Sequence, residues 1–206
     1  RGYPLDEVIT FDVGMEFDAI YHTRDRALPF LREHGIRYTE LKMDCPFEYY
    51  MFDHLVHGRT GIHYGYSWCG GRVRWGTTQK IRAMDQYAEE RGAYVYLGIA
   101  ADEKKRLLKK RKPYKLTPMA DWGTTEAMAL QSCYENGFTW QEGSVYLYDI
   151  LKRVSCWCCA GKNITELRNM HKHLPHYWQR LRALQAKTNR PMKGVGNSVF
   201  DLERKF

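Results

Sequence analysis

The chain has 206 residues, enough to bury the core of one domain with room for an accessory portion. Its formal charge of +8, with six Trp and fifteen Tyr, describes a basic, aromatic-rich protein whose partners are anionic rather than neutral, phosphates first among them. No stretch approaches about 18 uninterrupted apolar residues and no basic region precedes an apolar core, so neither a membrane span nor a signal peptide is expected.

Glu7 to Phe11 is a short β-rich run ending at Asp12 and Gly14, and an amphipathic helix follows from Glu16 through Leu31, stopped by Gly35. Arg37 to Met43 reads as the next strand and Phe47 to Leu55 as a short helix. From His57 to Gly76, six glycines alternate with Tyr64, Tyr66, Trp68 and Trp75, a composition too glycine-rich for regular structure and too aromatic for a linker. Thr77 or Thr78 can cap a helix to about Arg91 that Gly92 ends, and Tyr94 to Ile99 is the clearest buried strand. Strands alternating with helices predict an α/β parallel sheet, whose ligands lie at the carboxyl ends of its strands.

The second half reads as mostly helical. Thr124-Thr-Glu126 caps a helix through Tyr134, Thr165 starts helical sequence to about Gln185 with a break near Pro175, and Ser198 to Phe206 forms a last short helix. The expected plan is an α/β portion over residues 1–120 and a helical, cysteine-bearing portion over residues 121–206. The start at Arg1, without methionine and close to an apolar strand, suggests a natural beginning lost by processing or truncation.

The run Ser155-Cys156-Trp157-Cys158-Cys159 places three of the six cysteines within four positions. Adjacent cysteines are badly placed to bridge one another, whereas Cys156 and Cys159 have the C-x-x-C spacing with which two thiolates grip one metal. Cys69, between Trp68 and Gly70, can close a four-thiolate set with Cys156, Cys158 and Cys159, suited to zinc or an iron–sulfur cluster. Buried small apolar thiols and a redox pair are the alternatives, and Cys133 could replace one of the four. Clustered rather than framework-spaced cysteines fit a reducing cytoplasm.

Other constellations each have a plain structural counterpart. Asp12 at a strand end can accept from a ribose hydroxyl or hold Mg²⁺, and Glu16 begins a helix, where simple capping is equally served. Gly98 lets a ligand approach the backbone, and Asp102 with Arg106 can order a phosphate or sulfate, or form a surface ion pair. Lys104, Lys105, Arg106, Lys109, Lys110, Arg111, Lys112 and Lys115 read first as a solvated face and second as a nucleic-acid surface. Arg72, Arg74 and Lys80 beside the aromatic loop could clamp phosphates while Trp68 or Trp75 stacks on a base. His171, His173 and His176 read as surface or interface histidines.

Taken in order, Asp-x-Gly-x-Glu-Phe at Asp12, Trp68-Cys69, Arg-Trp-x-Thr-x-x-Lys at Arg74, Gly-Ile-x-Ala-Asp-Glu at Gly98, and Tyr-x-Leu-x-Pro before Trp-Gly-x-Thr at Trp122 resemble the phosphoadenosine phosphosulfate reductase family, within the adenine nucleotide α-hydrolase-like superfamily and closest to its bacterial and phage reductase-like members. The resemblance implies a Rossmann-like parallel sheet binding an adenine nucleotide, ATP or phosphoadenosine phosphosulfate, and chemistry at its phosphates or an attached sulfate. It implies nucleotide contacts from Asp12, Gly14, Glu16, Arg74, Thr77, Lys80, Gly98, Asp102 and Glu103. The family's Ser-Gly-Gly-x-Asp-Ser phosphate loop and the strand before it do not occur in the sequence and would lie upstream of Arg1. Gly76 and Ala100 stand where relatives often carry cysteine and arginine. The Glu-Cys-Gly-x-His nucleophile segment of assimilatory reductases is also missing, which argues against thioredoxin-dependent sulfite release. The expectation is therefore adenine-nucleotide-dependent sulfur transfer with a thiolate-bound metal centre; the alternative is a non-catalytic, metal-stapled nucleic-acid-binding module.

Overall fold

The computed structural model describes residues 2–58, 61–71 and 73–206, so Arg72 falls outside the described residues. The chain is a mixed α/β protein with small sheets. Strands β1 (Glu7–Asp12) and β2 (Arg37–Lys42) pair in parallel from Glu7 opposite Arg37 to Asp12 opposite Lys42, connected by helix α1 (Asp18–Glu33). A π-helical turn at Tyr49–Asp53 replaces the expected short helix. Strands β3 (Leu55–Gly58) and β4 (Gly61–Tyr64) then form an antiparallel hairpin, where the glycine content had argued for irregular chain. The glycines sit at the turn end rather than through the ladder, and Gly61 takes φ +125°, which a side chain would disfavour.

Helix α2 (Trp75–Glu89) leads to β5 (Val95–Tyr96), then to α3 (Lys104–Leu107), and β6 (Lys115–Leu116) pairs parallel with β5. The strand expected over Tyr94 to Ile99 shrinks to two ladder residues, because beyond it the Ile99 N–H turns back onto the Leu97 carbonyl. The β1–β2 and β5–β6 pairs are not hydrogen-bonded to each other, so the described residues hold two separate parallel pairs where one parallel sheet was expected.

Helices α4 (Pro118–Asp121) and α5 (Glu126–Glu135), the antiparallel pair β7 (Gln141–Glu142) and β8 (Val145–Tyr146), and α6 (Leu147–Ile150) lead into α7 (Ile164–His173), α8 (Pro175–Ala186) and α9 (Val199–Lys205). Capping chemistry sets these boundaries. Thr125 accepts from the Met128 N–H, Asn163 and Glu166 form a reciprocal capping box, Ser198 and Asp201 form another, and Pro175 occupies the first turn of α8. No helix among the described residues is long and apolar enough to cross a membrane.

The core gathers at the carboxyl end of β1. Phe11, Phe17, Met51, Trp68 and Trp75 from the first half pack with Leu147, Leu167, Tyr177, Leu181 and Leu202 from the second. Each fully buried leucine contributes about 1.5–3 kcal/mol. Helix α1 has Phe17 at its N-cap and no side-chain cap of its own. Its orphan donors are satisfied from a distance: the Asp18 N–H donates to the Tyr177 hydroxyl at 2.8 Å and the Ala19 N–H to Glu142 Oε1 at 2.8 Å, while Tyr177 donates to the same carboxylate at 3.0 Å. This triad locks α8 onto the start of α1. Tyr177→Phe should therefore lower unfolding free energy by about 1–2 kcal/mol in urea titrations, with little change in helix content by circular dichroism.

At the other end of β1, Glu7 accepts from Thr39 and Tyr87 and pairs with Arg37. Burial pushes the Glu7 carboxyl up, but the two hydroxyls and the Arg37 charge outweigh it, so the net shift is downward. A carboxyl held below its unfolded value stabilises the fold above about pH 4.5, and that contribution disappears as pH falls through the folded value. Glu7→Gln should accordingly flatten the acid limb of the stability profile below about pH 4.5 and leave the neutral-to-alkaline shape unchanged, measured by denaturation at a series of pH values.

Candidate functional site

Beyond β1 the chain turns through Val13-Gly14-Met15-Glu16. The Gly14 N–H donates to Asp12 Oδ1 at 2.7 Å, with Gly14 at φ +73°, and Tyr21 donates to the same oxygen at 2.9 Å. Asp12 thus organises its own turn through Oδ1, and a Mg²⁺ or ribose hydroxyl would be met by Oδ2. The Met15 carbonyl accepts from the Trp157 N–H at 3.0 Å, which pins the cysteine run against the strand end.

A second backbone contact brings in the glycine-rich loop: the Ala160 N–H donates to the Cys69 carbonyl at 2.9 Å. Gly70 permits it. At φ +137°, an added Cβ would lie 2.4 Å from the Gly161 nitrogen and 2.8 Å from that of Ala160, far inside contact distance. Cys69 and the Cys156–Cys159 turn, 87 positions apart at their nearer members in Cys69 and Cys156, therefore meet at one place.

Three of the four thiols have protein partners of their own. Cys69 sulfur accepts from the Gly76 and Thr77 N–H groups at the start of α2, Cys159 sulfur accepts from the Gly161 N–H at 3.4 Å, and Cys156 donates to Glu16 Oε1 at 3.3 Å. Cys158 is 1% exposed. Burial raises the Cys69 thiol, and it raises Cys156 and Cys158 well above the ordinary thiol range, with Glu16 and neighbouring thiols adding to the effect. Burial also raises Glu16, opposed by Cys156 and the positive charge of Lys80. All six cysteines are free, and among the described residues no group of three or more His, Cys, Asp or Glu side chains forms a metal-ligand cluster. Cys69, Cys156 and Cys159 are thus served separately by the protein, and Cys158 is buried in the hydrophobic core.

Lys162 was not anticipated. It is 2% exposed, donates to the Ser155 hydroxyl at 2.9 Å, and lies 5.2 Å from the Phe17 ring centre. Burial pushes its ammonium down, while the neighbouring cysteines would hold it up if charged. Lys193 clamps the same turn by donating to the Ala160 and Lys162 carbonyls at 2.8 Å each. Nothing in the sequence marked these lysines, because their roles depend on burial and on main-chain acceptors in a distant segment.

The remaining expected nucleotide contacts divide. Arg74 is the N-cap of α2 and exposed, Lys80 is exposed with its charge felt at Glu16, and Thr77 serves Cys69 through its backbone. These three stand by the thiols. Gly98, Asp102 and Glu103 lie on the loop after β5, and the two acids already carry structural duties. Asp102 Oδ1 accepts from the Glu126 N–H at 3.1 Å, and Glu103 pairs with Arg106 and Arg153, Arg153 also reaching Glu126. Arg153 thereby ties the cysteine-bearing segment to the β5 loop, a link the sequence did not suggest. Within the basic tract, Arg106 is paired with Glu103, Arg111 donates to the Leu107 carbonyl, and Lys112 and Lys115 reach Asp85. Lys104, Lys105, Lys109 and Lys110 have no carboxylate partner among the described residues. Cys133 lies on α5, away from the cysteine turn in sequence, and His171 and His176 pack on Trp178 and Tyr177 at ring separations of 5.0 Å and 4.0 Å.

No protein-family model, curated protein or solved structure matches the chain.

Gly70→Ala tests the contact that assembles this site. It should cost at least about 2 kcal/mol in denaturant unfolding and should speed labelling of the four clustered thiols by a thiol reagent under native conditions.

Proposed function

We propose that this protein serves adenine-nucleotide-dependent sulfur transfer of the phosphoadenosine phosphosulfate reductase type, with Cys69, Cys156, Cys158 and Cys159 as ligands of an iron–sulfur cluster or zinc. The observation that carries the reading is the hydrogen bond between Ala160 and Cys69, which brings a lone upstream thiol to the cysteine turn beside the end of β1. The donor set suits a soft metal: four free thiols from two segments, with backbone N–H groups already directed at two sulfurs. Buried thiols with raised proton affinity resist ionisation until a cation supplies the compensating charge, so metal loading would release protons. When bound, such a centre supplies electrons or a sulfur-binding site.

The chain's own residues would do the rest. Glu16, its proton affinity raised by burial, could hold a proton next to Cys156, while Arg74 and Lys80 at the start of α2 would attract the phosphates of an adenylate or adenylyl sulfate. The Gly14 turn offers an open backbone at the strand end, where a Rossmann-like sheet would receive its nucleotide. Free buried thiols also suit a reducing cytoplasm.

The test is anaerobic purification with metal and sulfide analysis, joined to titration of the full-length protein with a fluorescent ATP analogue. Bound iron with labile sulfide, or bound zinc, is expected, and Cys69→Ser or Cys159→Ser should weaken metal retention against a chelator by about tenfold or more. Metal-free protein in every preparation would remove the centre, and failure of full-length protein to bind the nucleotide would remove the enzyme reading. A second reading has one specific observation behind it, the four lysines at 104, 105, 109 and 110 without carboxylate partners. A nucleic-acid-binding module would retain oligonucleotide regardless of added nucleotide, and its affinity would fall steeply with salt.

A further inference from the structure

The turn between α3 and β6 borders a small cavity of about 300 Å³ beside the end of β5. Leu97 and Ile99, which follow β5, give it an apolar wall, and the rest of its lining is cationic: Arg106, Lys109, Lys110, Arg111, Lys112 and Lys115. Among the described residues no carboxylate lines it.

The turn owes its shape to Arg111. Helix α3 is four residues long, so its last carbonyls lack a full set of helical partners. The Arg111 guanidinium serves them, donating to the Arg106 carbonyl at 3.3 Å, to the Leu107 carbonyl at 2.9 and 3.0 Å and, within the turn, to the Lys109 carbonyl at 3.2 Å. Its remaining donor, Nε, is buried and has no hydrogen-bond partner among the described residues. A guanidinium held by main-chain acceptors cannot swing out into solvent as a free lysine does, so its positive charge is fixed in the cavity wall.

The charge balance selects the ligand. Arg106 pairs with Glu103 at 2.7 Å, Lys112 with Glu89 and Lys115 with Asp85, whereas Lys109, Lys110 and Arg111 have no carboxylate partner among the described residues. Unpaired cations converging on one cavity with an apolar wall focus the field there and draw in an anion dense in charge. The volume lies at the lower end of the range of about 300–1,000 Å³ that holds small molecules. A nucleic acid carries one charge per phosphodiester along an extended strand and meets such a cavity one phosphate at a time. An oligophosphate places its charges on consecutive phosphorus atoms and fills it.

We propose that this cavity binds an oligophosphate chain, free or borne by a nucleotide, and that Lys109 and Lys110 supply the mobile contacts while Arg111 supplies the fixed charge. The basic tract is thereby divided, because Lys104 and Lys105 are as exposed and as free of carboxylates but do not line the cavity. The proposal stands independently of the thiol centre and of the nucleotide contacts at the end of β1.

The test is calorimetric titration of the full chain with inorganic triphosphate at about 0.15 M salt, where diffuse surface attraction is screened. Saturable binding is expected, at least about tenfold tighter than that of orthophosphate. The double variant Lys109→Gln/Lys110→Gln should bind triphosphate about tenfold or more weakly, whereas Lys104→Gln/Lys105→Gln, which removes equal charge from outside the cavity, should stay within about threefold of the parent. All four side chains are exposed, so both variants keep the fold, which an unchanged urea midpoint verifies. ATP then identifies the source. ATP binding weakened by the Lys109 and Lys110 substitutions to the same degree as triphosphate assigns a nucleotide-borne chain; ATP that fails to bind, or whose binding those substitutions leave unchanged, assigns a free one. Triphosphate held no more tightly than orthophosphate would overturn the proposal, as would equal losses in the two double variants, the mark of a diffuse basic face. A single-stranded oligothymidylate that displaces triphosphate and weakens equally in both variants would give the tract to nucleic acid, and would equally overturn it.

Discussion

The site rests on a backbone contact that tolerates no side chain. Gly70 brings the glycine-rich loop so close to Ala160 and Gly161 that a single methyl group would collide with main-chain nitrogen. The hydrogen bond from Ala160 to the Cys69 carbonyl, together with that from Trp157 to Met15, fixes the cysteine turn between the loop and the end of β1. Main-chain atoms, unlike long side chains, have no rotamers to absorb strain, so the placement of the thiols is set by the fold.

Around that contact the molecule accumulates buried charge. Lys162 and Glu166 are nearly inaccessible, and each is matched by hydrogen bonds: Lys162 to Ser155, and Glu166 to the Asn163 and Lys152 N–H groups. Burial acts on Glu16, Lys162 and the thiols in one direction, toward their neutral forms. Groups that burial pushes toward their neutral forms respond strongly to any cation or anion that enters, because little solvent is present to screen it. That electrostatic character is what the sulfur-transfer reading draws upon.

The sheet is the counterpart of the core. On the side of the cysteines, β1 is enclosed by aromatic and aliphatic side chains from both halves of the chain. On its other edge it faces a groove shared with β5, and among the described residues no ladder uses that edge. One strand thus has a finished end and an open flank, and the short ladder of β5 and β6 belongs to the same open region.

The sequence by itself made part of the helical half legible, since capping depends on residues one turn apart: Thr125 before α5, Ser198 before α9 and the break at Pro175 were readable, whereas α2 begins at Trp75, ahead of the expected Thr77 or Thr78 cap, and α7 is capped by Asn163 rather than opening at Thr165. It also singled out Cys69 and the cysteine run, because their residue types are unusual in themselves. It misjudged the β3–β4 hairpin, where only glycine position, not glycine number, distinguishes a turn from a loop. Tertiary structure alone decided that Asp102 would cap α5 and Glu103 would pair with Arg153, that Tyr177 and Glu142 would cap α1, and that Lys162 would be buried beside the thiols. The hydrogen-bonded roles are set by partners from 24 to 159 positions away, from Asp102 with Glu126 to Asp18 with Tyr177, and burial by distant segments leaves no periodicity for a local reading to detect.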